Sequence, residues 1–555
     1  MNIGQYTCLE IFAKQTAPGG RVRVFSQTQE SLEQAAGSTY YAWLKFSLQP
    51  DTEYEIVCDS CDVSLCYLSG GDNILETGVR FLEKTQENGA FAVQDQAAWY
   101  DRPTRETYHF APWKNWMNDP NGLCWFQGYY HMFYQCNPHG QEWSNMYWGH
   151  AVSRDLIHWT HLPIVLSPQD EILASPETMK GGAFSGCAVA DEEEAFFYLT
   201  RHKGPLQDCN DTIEQQWMMR SSDMIHFTQE KCVVESPPDG ASFDFRDPKV
   251  LKIGEIWYMV LGSSMKGQGA ILLYESKDRE HWEYVHPLLI EEQNQIRCFE
   301  CPDLMELDGK YLAVGAFMEH HDDCGRYQMS RYYVGNWQDR QFEKAGEGWF
   351  DFGSNCYAMQ SFEHQGRRIS IGWISDFYDE HVNCPGGAYG SMTLPRQLHI
   401  RNDRLYMMPV EEIASLQGDI LYQGGGENIT IPKIAGNAYR AKVKFTENTF
   451  FTIVLGRDGD RSISLMQDAE GLRIVTKGVQ SEGITFRADV EEVRDLEIYM
   501  DRRVAEVYVN EGEAVGTKLF YSTSTEGCFE LCAMRAANIE QAKVVLMKSI
   551  WHSPH

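Results

Sequence analysis

A short pattern recurs three times along this 555-residue chain and limits its folds more than any other feature. Ser153, Asp155, His158 and Trp159 share the form S-x-D-x-x-H-aromatic with Ser221, Asp223, His226 and Phe227, and again with Ser276, Asp278, His281 and Trp282. The copies begin 68 and 55 residues apart. Each follows one apolar strand-like run and precedes another, so each supplies the same turn in successive small sheets. Sheets repeating at this period are read as propeller blades, with loops inserted beyond the usual repeat of about 40 to 50 residues. Residues 106–407 have room for five such blades.

The rest of the chain reads as β-structure too, and its length calls for more than one core. Runs at 54–57, 129–134, 256–261 and 439–445 are short, rich in β-branched or aromatic residues, and bounded by Gly, Asn or Asp turns. Residues 1–105 are expected to form an accessory β-sandwich. A short connecting helix is expected over 408–420, then a C-terminal β-sandwich over 421–555, clearest in the alternation at 496–509. The predicted class is all-β.

A formal charge of −31 makes nucleic acid and anionic membrane poor partners, whereas a neutral substrate meets no penalty. The first 21 residues lack the basic and apolar regions of a secretory signal. No run reaches the ~18 apolar residues needed to span a bilayer, so a cytoplasmic protein is expected. The sixteen cysteines then read as reduced thiols. The pairs Cys58/Cys61 and Cys298/Cys301 have no second pair at zinc-ribbon spacing, and neither metal nor cofactor is expected. Self-association into a homo-oligomer stays open, with the N-terminal segment one place for it.

Three acidic segments carry the chemistry. Asp119 lies in Trp116-Met-Asn-Asp-Pro-Asn-Gly122, where Pro120 and Gly122 hold the backbone. Asp247 lies in Phe243-Asp-Phe-Arg-Asp-Pro248, with Arg246 beside it to favour the ionised form. Glu300 lies in Phe299-Glu-Cys-Pro-Asp303. Singly, each is an ordinary turn or ion pair.

Together and in this order they resemble glycoside hydrolase family 32, the invertase, inulinase and levanase family. The resemblance extends through Tyr108-His109-Phe110, residues 133–138, 148–151, 184–186, 351–353 and 392–396, and a late stretch at 501–510, covering about 106–550. It implies a five-bladed propeller with a central funnel, followed by a sandwich. It also implies a retaining β-fructofuranosidase acting on a small carbohydrate such as sucrose or a fructo-oligosaccharide. By this resemblance Asp119 is the nucleophile, Glu300 the general acid/base and Asp247 a stabiliser of the transition state, with substrate contacts from Asn118, Gln135, Trp143, Phe184, Ser185 and Arg246. Such a pair of carboxyls, one ionised and one protonated, is what an oxocarbenium-like transition state requires, and crowding is expected to raise Glu300.

Fructosyl transfer would use the same residues. A non-catalytic sugar-binding protein and an inverting arabinan- or xylan-cleaving enzyme are the other readings. Three departures, Tyr147, Asn355 and Ala388, are expected to rim the funnel and affect substrate preference. The acidic cluster Glu319, His320, His321, Asp322 and Asp323 is open to three readings: a metal site, a solvated loop or part of the rim.

Overall fold

The computed structural model describes all residues except 28–29, 86–88, 207–210, 322–324, 326, 379–387 and 552–555. Five antiparallel sheets follow one another between residues 115 and 409. Blade I is built from Asn115–Phe126, Tyr129–Asn137, Tyr147–Ser153 and Trp159–Leu166. Blade II runs from Met179–Ala190 to Lys231–Val234, blade III from Arg246–Ile253 to Glu283–Ile290, and blade IV from Phe299–Leu307 to Gln341–Trp349. Blade V takes Cys356–His364, Arg367–Ile374, Arg396–Arg401 and Arg404–Pro409. Ala388 and Tyr389 pair in parallel with Asn115 and Trp116, which joins the end of the ring to its start.

The recurring S-x-D-x-x-H-aromatic pattern forms the same turn between the third and fourth strands of blades I, II and III. In blade I the Asp155 carboxylate accepts from the amides of Ile157 and His158 and from the His158 ring at 2.7 Å. Asp223 and Asp278 repeat this with His226 and His281. The residue after each Asp, namely Leu156, Met224 and Arg279, is left-handed, and the carboxylate holds the chain in that strained turn. Blades IV and V make the same connection with two-residue hairpins at Asp339–Arg340 and Asn402–Asp403, all at positive φ, so they carry no copy of the pattern.

Two further pairs of sheets flank the ring. At the N-terminus, a five-stranded sheet (Ala42–Ser47, Cys8–Gln15, Cys61–Ser69, Arg80–Lys84, Phe91–Val93) and a three-stranded one enclose Leu9, Ile11, Val22, Val24, Phe46 and Leu68. At the C-terminus, sheets of six and five strands close over Ile453, Leu465, Ile498, Val507 and Phe529. The connecting helix expected over 408–420 is a six-residue 3₁₀ segment, Glu411–Leu416. The preceding strand runs to Pro409 and the next begins at Gln417, which makes the helical connection shorter than expected.

A buried charge network ties the ring to the C-terminal sandwich. Asp501 accepts from the amides of Thr107, Tyr108 and His109 and from the His109 ring at 2.9 Å. The other ring nitrogen meets Glu506 at 3.1 Å, and Arg396 reaches both Glu506 at 2.8 Å and Asp351 at 3.3 Å. Burial alone would depress His109, but the two carboxylates raise it to about 9, while Arg396 and His109 hold Glu506 down at about 2 against its own burial. The His109 contribution to stability is therefore complete below about 6.5 and is lost as pH rises through about 9. The Glu506 contribution is complete above about 4.5 and is lost as pH falls through about 2. Replacing Arg396 with Ala strands two buried carboxylates and is expected to cost about 3–5 kcal/mol, read as a lower urea midpoint.

Candidate active site

The innermost strand of every blade slips register at one equivalent point, where two residues oppose one on the neighbouring strand. These pairs are Asn118–Asp119 in blade I, Phe184–Ser185 in II, Asp247–Pro248 in III, Cys301–Pro302 in IV and Ala358–Met359 in V. A bulge bends its strand and re-aims the side chains around it. Asp247, Cys301 and Ala358 adopt positive φ there, at 62°, 46° and 52°. Pro248 and Pro302 fall in bulges of strands that form the edge of their own sheets, where the ladder needs no N–H and proline is accepted. The sequence signatures Asn-Asp-Pro, Arg-Asp-Pro and Glu-Cys-Pro are thus local consequences of one repeated backbone device.

The bulges surround a cavity of about 650 Å³ whose wall includes Asp119, Asp247 and Glu300. Asp119 accepts hydrogen bonds from Ser185 at 2.5 Å, Asn118 at 3.2 Å, Gln135 at 3.3 Å and the Cys301 thiol at 3.4 Å. Glu300 accepts from Arg246 at 3.0 Å and from the Tyr357 hydroxyl at 2.7 Å. Asp247 accepts from the Cys301 amide at 2.8 Å, and its own amide donates to Thr200 at 2.9 Å.

Burial raises all three carboxyls. For Asp119 it is opposed by the Ser185, Asn118 and Cys301 hydrogen bonds. For Glu300 it is opposed by Arg246 and Tyr357 and reinforced by Asp119. Asp247 is pushed well above the usual carboxylate range by burial and by the charges of Glu300 and Asp119, despite Arg246. The Arg246 charge works against this rise, but its guanidinium is not directed at Asp247. The guanidinium donates instead to Glu300, to Asp244 and, at 3.0 Å, to Glu214.

Asn118, Gln135, Trp143, Phe184 and Arg246 line the same cavity, and Ser185 sits behind Asp119. Sequence reasoning missed Glu214, Asp244, His202, Tyr357 and Cys301. Glu214, wholly buried, accepts from Arg246, the Phe245 amide and the His202 ring at 2.7 Å, and these partners hold it at about 2 against burial. His202 stacks on Phe184 at 4.2 Å, which carries this network to the cavity wall.

The three departures do not rim the cavity. Tyr147 is buried against Phe12 of the N-terminal sandwich, with ring centroids 5.5 Å apart. Asn355 is buried between the Ser375 carbonyl at 2.7 Å and the Leu519 amide at 3.1 Å, facing the C-terminal sandwich. Ala388 lies buried in the strand pair that closes the ring. In the cluster at 319–323, Glu319 pairs with Arg297 at 2.8 Å, His320 turns inward to the Gln295 carbonyl, and His321 stacks on Tyr327. Asp322 and Asp323 lie outside the described residues. Among the described residues no group of three or more His, Cys, Asp or Glu side chains is placed to hold a metal, and no helix is long and apolar enough to cross a membrane.

Known proteins share this arrangement. The glycosyl hydrolases family 32 N-terminal domain matches residues 109–409, and the family's C-terminal domain matches 451–546. A sucrose-6-phosphate hydrolase of Escherichia coli is 33% identical, over 78% of this chain and 93% of that protein. A levanase of Bacillus subtilis is 28% identical over 82% of this chain and 72% of that protein. A solved structure of a glycoside hydrolase family 32 protein from Bifidobacterium adolescentis superposes with a TM-score of 0.93 at 31% identity, covering 100% of this chain and 99% of that one. With both domain models of one family matched in order over most of its length, the chain belongs to glycosyl hydrolase family 32 and is a glycoside hydrolase.

Proposed function

We propose that the protein is a β-fructofuranosidase that removes a terminal β-D-fructofuranosyl unit from sucrose or a short fructo-oligosaccharide by double displacement. Asp119 attacks the anomeric C2, and Glu300 protonates the departing oxygen. Glu300 then takes a proton from the water that releases fructose, while Asp247 binds the sugar hydroxyls and steadies the charge that develops on the ring. The observation that carries this reading is the contrast between two buried carboxyls on one cavity. Asp119 is held by four uncharged donors that fix its orientation, and Glu300 is held at its two oxygens by Arg246 and Tyr357. Water-excluding walls make such oriented groups effective.

The relatives' names span a phosphorylated and a neutral substrate. A neutral sugar is favoured here because the wall carries Asp119, Asp244, Asp247 and Glu300, while of its cations Arg246 and Arg297 are paired with carboxylates and the Lys180 ammonium lies over the Trp143 ring. Sucrose is therefore expected to be cleaved with a higher kcat/KM than sucrose 6-phosphate. Double displacement is tested by running the reaction in aqueous methanol. Methyl β-D-fructofuranoside is the expected trapped product, and the α-anomer would show a single inverting displacement. Formation of higher oligosaccharides in concentrated sucrose would show transfer instead of hydrolysis.

A further inference from the structure

The loop that brings Trp143 to the cavity is held from outside the propeller. Residues 138–146 connect the second and third strands of blade I. Part of the loop is fixed within the ring: the Asn137 side chain donates to the Glu142 carbonyl at 3.0 Å, the Trp116 amide to the Gly140 carbonyl at 2.9 Å, and the Gly181 amide to Asn145 at 3.2 Å. Other supports come from the N-terminal sandwich. The Ser64 hydroxyl donates to the Pro138 carbonyl at 2.6 Å, beside the Asn115 amide group that donates to the same oxygen at 2.8 Å. The His139 ring lies on Tyr41, with centroids 4.0 Å apart, and meets the edge of Tyr40 at 5.8 Å. Tyr41 rests in turn on Phe12, which stacks on Trp43 at 4.8 Å.

Trp143 stands at the crest of this loop, 39% exposed. One side of its indole meets Phe184 edge-on at 5.9 Å, and the Lys180 ammonium lies 4.4 Å from the ring. These are soft contacts on a half-exposed ring, so its placement depends on the backbone beneath it. On the side of the N-terminal sandwich that backbone is supported at its first two residues, by the Ser64 bond and the Tyr41–His139 stack.

We infer that the N-terminal sandwich is a positioning element of the active site: Tyr41 and Ser64 hold residues 138–146 so that Trp143 forms one wall of the sugar cavity. Tyr41 touches no substrate and acts only through the loop. This inference rests on the proposed fructofuranosidase reading for its kinetic test, and the loop itself supplies a test that does not.

The experiment compares full-length Tyr41→Ala, Tyr41→Phe, Trp143→Ala and the Tyr41→Ala/Trp143→Ala double variant. Tyr41→Ala is expected to raise KM for sucrose roughly tenfold with kcat within about threefold of the parent, as loss of a binding wall rather than of chemistry should. Tyr41→Phe keeps the ring on His139 and should restore the parental KM. On the Trp143→Ala background, Tyr41→Ala should add less than about twofold, since two changes acting through one contact do not sum. Amide hydrogen exchange of the peptide spanning 138–146 should quicken in Tyr41→Ala and not in Tyr41→Phe, with no substrate required. Full additivity of the two KM effects, or unchanged exchange in Tyr41→Ala, would overturn the inference. If the parent releases no fructose from sucrose, the functional reading fails while the exchange measurement still decides the role of the sandwich.

Discussion

Replacing Asp119 with Asn is expected to lower kcat/KM for fructose release by on the order of 10⁴-fold or more, with the fold intact. The amide is close in shape to the carboxylate and can still accept from Ser185 and Gln135, but it cannot displace a leaving group from C2. The effect should fall on kcat, because the remaining polar contacts to the sugar stay in place. Stability should move the other way. Burial of Asp119 raises its pKa, which means that the folded protein disfavours this charge, so the thermal midpoint of Asp119→Asn should equal or exceed that of the parent. A variant that keeps parental turnover would remove Asp119 from the chemistry.

Glu300→Ala is expected to be nearly as severe on sucrose, with a loss of about 10²–10⁴-fold, the usual range for general acid–base assistance. The loss should depend on the substrate. A fructoside with a good leaving group needs no proton to depart, so its first step should be slowed far less. Azide, small enough to enter the space vacated by the side chain, should speed breakdown of the intermediate and yield fructosyl azide. Because burial raises Glu300, the alkaline limb of the parental pH profile should lie above the pH at which an exposed glutamate titrates, and Glu300→Gln should abolish it. An unchanged alkaline limb in Glu300→Gln would assign the acid to another group, with Asp247 the first to test.

The parts of this site that could be read from the sequence share one cause. Asp119, Asp247 and Glu300 sit at or beside bulges, and a bulge on the inner edge of a blade leaves a local trace: a proline in or next to it, where no ladder N–H is lost. The three-fold turn pattern was legible for the same reason, since Asp155, Asp223 and Asp278 each bind amides two and three residues on. Glu214 leaves no such trace. It is one buried position in the alternating strand Ile213–Ser221, and only tertiary packing sets it opposite Arg246.

Tyr147 shows how adjacency misleads. It directly precedes Trp148, whose indole donates to the Phe184 carbonyl at 3.1 Å, toward the site. Successive residues of a strand face opposite sides, so Trp148 packs between blades I and II while Tyr147 points away, onto Phe12. For Ala388 and Asn355, sequence proximity to site motifs does not reveal which surface a two-residue strand or the bend before a strand presents.

The bonds that Asp501 makes to His109 and its neighbours close a loop of 392 residues. During synthesis at ~5–20 residues per second, the two partners leave the ribosome roughly 20–80 s apart. Throughout that interval the segment leading into the first blade is without the carboxylate that holds its amides. A nascent chain halted before residue 501, or a fragment ending after the fifth blade, should therefore be held by chaperones or degraded, even though it already contains Asp119, Asp247 and Glu300.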